Sequence, residues 1–75
     1  MSDHVYRVVE WVGSSDQSID HAIRNAVSEA SKSLRDMRWY EVTATRGEIV
    51  DGQVGHFQVY LKLGFTLEGS RDGPV

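Results

Sequence analysis

The chain has 75 residues, no cysteine and a formal net charge of −3, so it forms one domain without disulfides or thiolate metal sites, and its acidic balance argues against nucleic-acid binding. A domain of this length buries only about 60% of the surface that its unfolded chain exposes. Because His4, His21 and His56 lack metal-ligand spacing, we expect no metal, and oligomerisation remains as the source of extra stability. There is no signal-peptide pattern and no apolar run of about 20 residues, which predicts a cytoplasmic protein that does not enter a membrane.

The first two predicted elements are a strand and an amphipathic helix. Residues 5–12 are β-branched and aromatic, which predicts the strand, and residues 13–17 are expected to form a turn. Ser18 is a candidate N-cap, although Ser14 and Gln17 form a rival capping pair. Apolar residues then recur with helical spacing, and their small size predicts a helix that lies close to a sheet: Ile19, Ala22, Ile23, Ala26, Val27, Ala30 and Leu34.

Two longer strands follow, over residues 37–49 and 53–67, joined at Asp51-Gly52. This dipeptide is typical of a type I′ hairpin turn, which needs positive φ at both central positions. A turn centred there predicts four cross-strand pairs: Glu41 with Lys62, Tyr40 with Leu63, Val42 with Leu61, and Ala44 with Val59.

Alternation along the third strand separates an apolar face from a polar face. The apolar face is expected to pack on the helix and carries Phe57, Val59, Leu61, Leu63 and Phe65. The other face then carries Trp39, Glu41, Thr43, Thr45, His56, Gln58, Tyr60 and Lys62. The predicted fold is therefore α+β, with the order β-α-β-β and one helix on a three-stranded antiparallel sheet. Residues 1–68 are predicted to form this domain and residues 69–75 a flexible tail.

Trp39 and Gln58 are the candidate binding residues. An indole on a face without a helix must be covered either by a ligand or by a partner subunit, because tryptophan is common in both settings. The amide of Gln58 can donate to and accept from the edge of a heterocycle, or it can be an interface residue. The predicted register sets Gln58 near Thr45, roughly 20 Å along the sheet from Trp39. A single small ligand that contacts both residues would therefore need a site built from two or more chains.

Other polar residues give weaker indications of a site. Arg46 is either a surface charge or a clamp for a phosphate group. His56 could act as a general base beside Glu41 or Glu48, but the sequence has no nucleophile in a recognisable setting and no nucleotide-binding glycine motif. We therefore predict no catalytic residues and interpret these side chains as solvated charges or interface contacts.

Segments 5–15, 22–26, 34–42, 46–47, 56–59 and 64–68 resemble the dodecins. The most specific of them are W-Y-E-V, which begins at Trp39, and F-Q-V, which contains Gln58. The resemblance implies a β-α-β-β subunit that assembles into a hollow homododecamer and binds flavin. It further implies that flavin pairs stack between tryptophans at a two-fold axis. One departure is Trp11, where the resemblance leads us to expect an aliphatic residue such as leucine, and we interpret it as an edge-packing or intersubunit residue.

By this resemblance, Trp39 stacks on the isoalloxazine ring, Gln58 bonds to the ring's polar edge, and Arg46 contacts the phosphate of FMN. Riboflavin and FAD are alternative ligands, and coenzyme A is a candidate second ligand. The implied function is flavin storage that limits light-driven damage, with no catalysis. Two alternatives remain at this point: a small flavin-dependent oxidoreductase that uses His56, and a structural oligomer without a ligand.

Overall fold

The structure is a computed structural model and describes residues 5–67. The elements along the chain are β1 (Tyr6–Ser15), α1 (Ile19–Ala30), β2 (Met37–Val50) and β3 (Gln53–Thr66). The strands form one antiparallel sheet in the order β1-β3-β2, so the last strand of the chain lies in the centre. The predicted β-α-β-β fold is confirmed. The predicted tail, residues 69–75, lies outside the described residues.

Helix α1 lies directly against strand β1. Ser18 caps its N-terminus by accepting a hydrogen bond from the backbone N–H of His21, at 3.0 Å, so the structure selects Ser18 over the rival capping pair. Ala22, Ala26 and Ala30 are buried along the helix. A Cβ added at Gly13 would lie 2.2 Å from the carbonyl oxygen of Ala22, which shows how closely helix and strand approach. The close packing predicted from the alanines is therefore present.

Two predicted boundaries were wrong. Strand β1 continues through Gly13 to Ser15, which pairs with Phe57, whereas these residues were expected to form a turn. Glycine and serine are weak strand formers, but pairing with the central strand outweighs local propensity. The helix ends at Ala30 although the apolar stripe continues to Leu34. Leu34 still packs against the core, from the turn that follows the helix.

The hairpin between β2 and β3 has the predicted turn. Asp51 and Gly52 have φ angles of 53° and 75°, as a type I′ turn requires. Three of the four predicted pairs are also present: Tyr40 with Leu63, Glu41 with Lys62, and Val42 with Leu61. The predicted register therefore holds in the half of the hairpin that lies far from the turn.

From Ala44 to Glu48 the register is shifted by one residue, whereas Ile49 and Val50, next to the turn, keep the predicted register. A shift in the pairing lies between Val42 and Ala44, where the Thr43 hydroxyl donates to the carbonyl oxygen of Tyr60 at 3.1 Å. Ala44 therefore pairs with Tyr60 instead of the predicted Val59. The prediction that Gln58 lies near Thr45 holds, because Gln58 pairs with the neighbouring Arg46. Thr45 itself pairs with Val59 and belongs to the opposite face of the sheet from Trp39, so its predicted place on the same face as Trp39 is wrong.

The sheet thus has two distinct faces. The helix face carries Val59, Leu61 and Leu63, which are at most 1% exposed and form the core with the helix alanines. Trp11 pairs with Leu61 and packs against this core, which agrees with packing as one of its two expected roles. The other face, which we call the open face, carries the side chains that alternate with these core residues, including Gln58 and Tyr60.

The chain is extended for its size. Its radius of gyration is 15.4 Å, whereas a compact domain of this length has about 11 Å. Strand β1 pairs only with residues 57–66, so residues 48–56 form a two-stranded hairpin arm beyond it. Ile49, Val50 and Val54 on this arm are 76%, 48% and 61% exposed. Such apolar exposure on a small core is typical of a subunit that packs against others. In the described range, no helix has the length and apolarity needed to cross a membrane.

Candidate functional site

Trp39 lies on the open face of β2, an edge strand of the sheet. It pairs with Gly64 of the central strand, and its indole occupies the space above that glycine. The side chain points away from the helix because Gly64 alternates with the buried Leu63. With 40% of its surface exposed, Trp39 offers a large aromatic surface at the sheet edge.

A second aromatic residue extends this surface. The ring of Tyr6, on β1, meets the Trp39 indole edge to face, with ring centroids 6.5 Å apart and an angle of 62° between the planes. Val8, the next residue of β1 on the same face, is 44% exposed. The end of the open face that contains Trp39 is therefore aromatic and apolar, which suits a planar ligand with a large hydrophobic ring.

Gln58 and Arg46 form the polar part of the candidate site. They are direct cross-strand partners on the open face, because the register shift at Thr43 turns Arg46 to the same side as Gln58. A guanidinium nitrogen of Arg46 donates to the Tyr60 hydroxyl at 3.0 Å, and the guanidinium carbon lies 5.6 Å from the centre of the Tyr60 ring. The arrangement holds a cation beside an amide, and this pair can bind an anionic group next to a polar ring edge.

The structure does not bring the aromatic and polar parts together within one chain. Gly64, which pairs with Trp39, lies six residues along β3 from Gln58. At about 3.3 Å per residue, the two parts are roughly 20 Å apart. A ring that stacks on Trp39 therefore cannot also bond to Gln58 of the same chain. The same separation was predicted from the sequence, although the predicted register set Gln58 near Thr45 and the structure pairs it with Arg46.

The candidate catalytic side chains are only partly clustered. His56 pairs with Glu48, and its Nδ1 lies 3.3 Å from a Glu48 carboxylate oxygen, with both side chains more than half exposed. Glu41 pairs with Lys62, which is six residues along β3 from His56, so it belongs to another part of the sheet. Residues 5–67 contain no group of three or more acidic or histidine side chains that could hold a metal ion.

Three residues contact the candidate binding residues in ways that were not predicted from the sequence: Tyr6, Gly64 and Tyr60. Alternation placed Tyr60 on the open face, but its bond to Arg46 depends on the register shift. Tyr6 meets Trp39 because β1 and β2 flank the same central strand. The sequence pattern of the β2–β3 hairpin does not predict where β1 lies in the sheet. The glycine at position 64, inside a strand, was an available signal for a close approach by another group.

Comparison with known proteins gives a consistent result. The family model described as Dodecin matches residues 5–68. The chain is 44% identical over 64 residues to the dodecin of Thermus thermophilus, a match that covers 85% of this chain and 93% of the relative.

Two solved structures of Streptomyces dodecins have the same fold. The S. coelicolor dodecin is 60% identical with a TM-score of 0.87, and the match covers 93% of this chain and 100% of that one. The S. davaonensis dodecin is 46% identical with a TM-score of 0.85, and the match covers 89% and 98%. The chain belongs to the dodecin family.

Proposed function

We propose that this protein stores flavin, holding FMN at sites that are shared between copies of the chain. Membership of the dodecin family supports this proposal, since dodecins are oligomeric flavin-binding proteins rather than enzymes. The single observation that carries it for this chain is the position of Trp39: a partly exposed indole on the open face, at the edge of the sheet.

The roughly 20 Å between the aromatic and polar parts of the site supports a shared arrangement. In the proposed assembly, Trp39 of one copy stacks on the isoalloxazine ring, and Gln58 of another copy donates to and accepts from the ring's polar edge. Arg46 lies beside Gln58 and is suited to the phosphate of FMN, because its planar fork can bind phosphate oxygens in a bidentate manner. The hollow homododecamer remains a proposal based on the family, as does a second ligand such as coenzyme A.

Storage requires binding and exclusion of water, with no turnover. A bound flavin supplies a planar ring that absorbs light, and an indole in contact with it can donate an electron to the excited ring and take it back, which quenches its photochemistry. Stacking of an aromatic pair contributes about 0.5–1.5 kcal/mol beyond the area buried. The proposal assigns no role to the exposed His56–Glu48 pair, which lies on the hairpin arm.

Titration of flavin-free protein with FMN tests the proposal, with flavin fluorescence as the readout. We expect the wild-type chain to quench bound FMN strongly, and Trp39→Ala to weaken binding by about 5- to 150-fold, since stacking on an aromatic side chain contributes about 1–3 kcal/mol. Trp11→Phe is the matched control because Trp11 packs on the helix face, and it should bind as the wild type does. FMN that stays fluorescent with wild-type protein, or a Trp39→Ala variant with unchanged affinity, would refute the proposal.

A further inference from the structure

We propose that Gly64 and Tyr6 are positioning residues that fix the orientation of the Trp39 indole for stacking. This inference rests on the proposed flavin function and adds to it. Neither residue needs to contact the flavin, and both act through the indole.

Gly64 leaves the space that the indole occupies. A Cβ built at Gly64 would lie 2.2, 2.3 and 2.7 Å from Cε2, Cζ2 and Nε1 of Trp39, whereas ordinary contacts begin near 3.4 Å. One side of the indole therefore rests where any other residue would place its side chain. Even alanine at this position would have to displace the ring by more than 1 Å, because the difference between 3.4 and 2.2 Å is 1.2 Å.

The space above Gly64 also lets Tyr6, on the other edge strand, reach the indole across the central strand. Strands β1 and β2 both pair with β3, so their backbones are about 10 Å apart. The rings of Tyr6 and Trp39 nevertheless come within 6.5 Å between centroids, above the central strand. Edge-to-face contact of this kind is a preferred geometry of aromatic pairs and restrains the tilt of the indole. Two neighbours on different strands thus define the position of one ring.

The first test uses Gly64→Ala in the full chain, in a Trp11→Phe background, so that Trp39 alone gives the tryptophan signal. We expect near-ultraviolet circular dichroism and emission of Trp39 to change without ligand, and FMN affinity to fall about tenfold. Lys62→Ala, on the same strand and face, is the matched control and should leave the Trp39 spectrum unchanged. An unchanged Trp39 spectrum, or a changed spectrum with unchanged FMN affinity, would overturn the inference.

Tyr6 provides a test that does not crowd the sheet. Tyr6→Phe keeps the ring and should retain FMN affinity, whereas Tyr6→Leu removes the ring and should weaken binding severalfold with the far-ultraviolet spectrum unchanged. Equal losses in both variants would assign the effect to the hydroxyl and contradict positioning by ring contact. If Gly64→Ala does not fold, this pair decides the question. A wild-type chain that binds no FMN refutes the proposed function itself, whereas normal wild-type binding with unaffected variants refutes the positioning alone.

Discussion

Replacing Arg46 by alanine separates recognition of the phosphate from recognition of the ring. In the structure, Arg46 is exposed and uses one nitrogen to donate to the Tyr60 hydroxyl, at 3.0 Å. A guanidinium has five N–H donors, so this contact leaves capacity for a phosphate group. Without ligand, the variant loses an exposed hydrogen bond and a cation–π contact, both with Tyr60, and we expect its free energy of unfolding to change by about 1 kcal/mol or less.

The effect on binding should depend on which flavin is offered. Hydrogen bonds that involve charged groups contribute about 1.5–3 kcal/mol, so loss of the Arg46 contact should weaken FMN by about 10- to 150-fold. Riboflavin has the same ring but no phosphate, and its affinity should change by less than about threefold. The prediction therefore concerns the ratio of the two affinities, which a general loss of folding or assembly would leave unchanged.

The assay is a parallel fluorescence titration of wild-type and Arg46→Ala protein with FMN and riboflavin. Arg24→Ala is the control, because it removes the same charge from a residue outside the candidate site. Arg24 lies on the helix and pairs with Asp20 at 2.9 Å. This control should keep the wild-type ratio of affinities. If Arg46→Ala weakens both flavins equally, or weakens neither, the ratio of affinities stays at the wild-type value. Either result would refute the assignment of Arg46 to the phosphate group.

Two further predictions concern packing and assembly. Gly13→Ala places a Cβ 2.2 Å from the Ala22 carbonyl oxygen, so we expect urea unfolding to show a free energy of unfolding lower by about 1–3 kcal/mol or more. Ser14→Ala, at the next residue, is the control and should change this free energy by less than about 1 kcal/mol. Similar unfolding midpoints for the two variants would contradict the close helix–strand contact. We expect the hairpin arm to pack on another copy of the chain. Ile49→Glu adds a charge at a side chain that is 76% exposed on this arm, so light scattering should show a smaller assembly than the wild type forms. An assembly of unchanged mass would show that the hairpin arm is not part of an interface between copies.

Sequence periodicity predicted much of the hairpin correctly for a reason that the structure makes clear. The pairs from Tyr40 to Val42 follow the register that the Asp51-Gly52 turn sets, although the pairing in between is shifted by one residue. One irregularity lies between Glu48 and Ile49 and the next lies at Thr43, and their effects cancel. The error is therefore confined to the residues between them, which include Arg46.

That confined error matters for the site. With regular alternation from the turn, Arg46 would pair with Phe57 and lie on the helix face. The shifted register instead pairs it with Gln58 on the open face. Gly55, inside β3 beside the first irregularity, was the available sequence signal, since a strand glycine often marks a bulge. Thr43 gave no comparable signal, because threonine is an ordinary strand residue.

The sequence alone determined the element order, the alanine-rich helix face, the hairpin turn and the placement of Trp39 outside the core, because these depend on local spacing and on the conformational preferences of single residues. The tertiary structure alone decided that β3 lies in the centre, that Arg46 faces the same side as Gln58, and that Tyr6 and Trp39 meet above Gly64. These features depend on contacts between segments that are distant in the chain, and the energy of such contacts is not encoded in any local pattern.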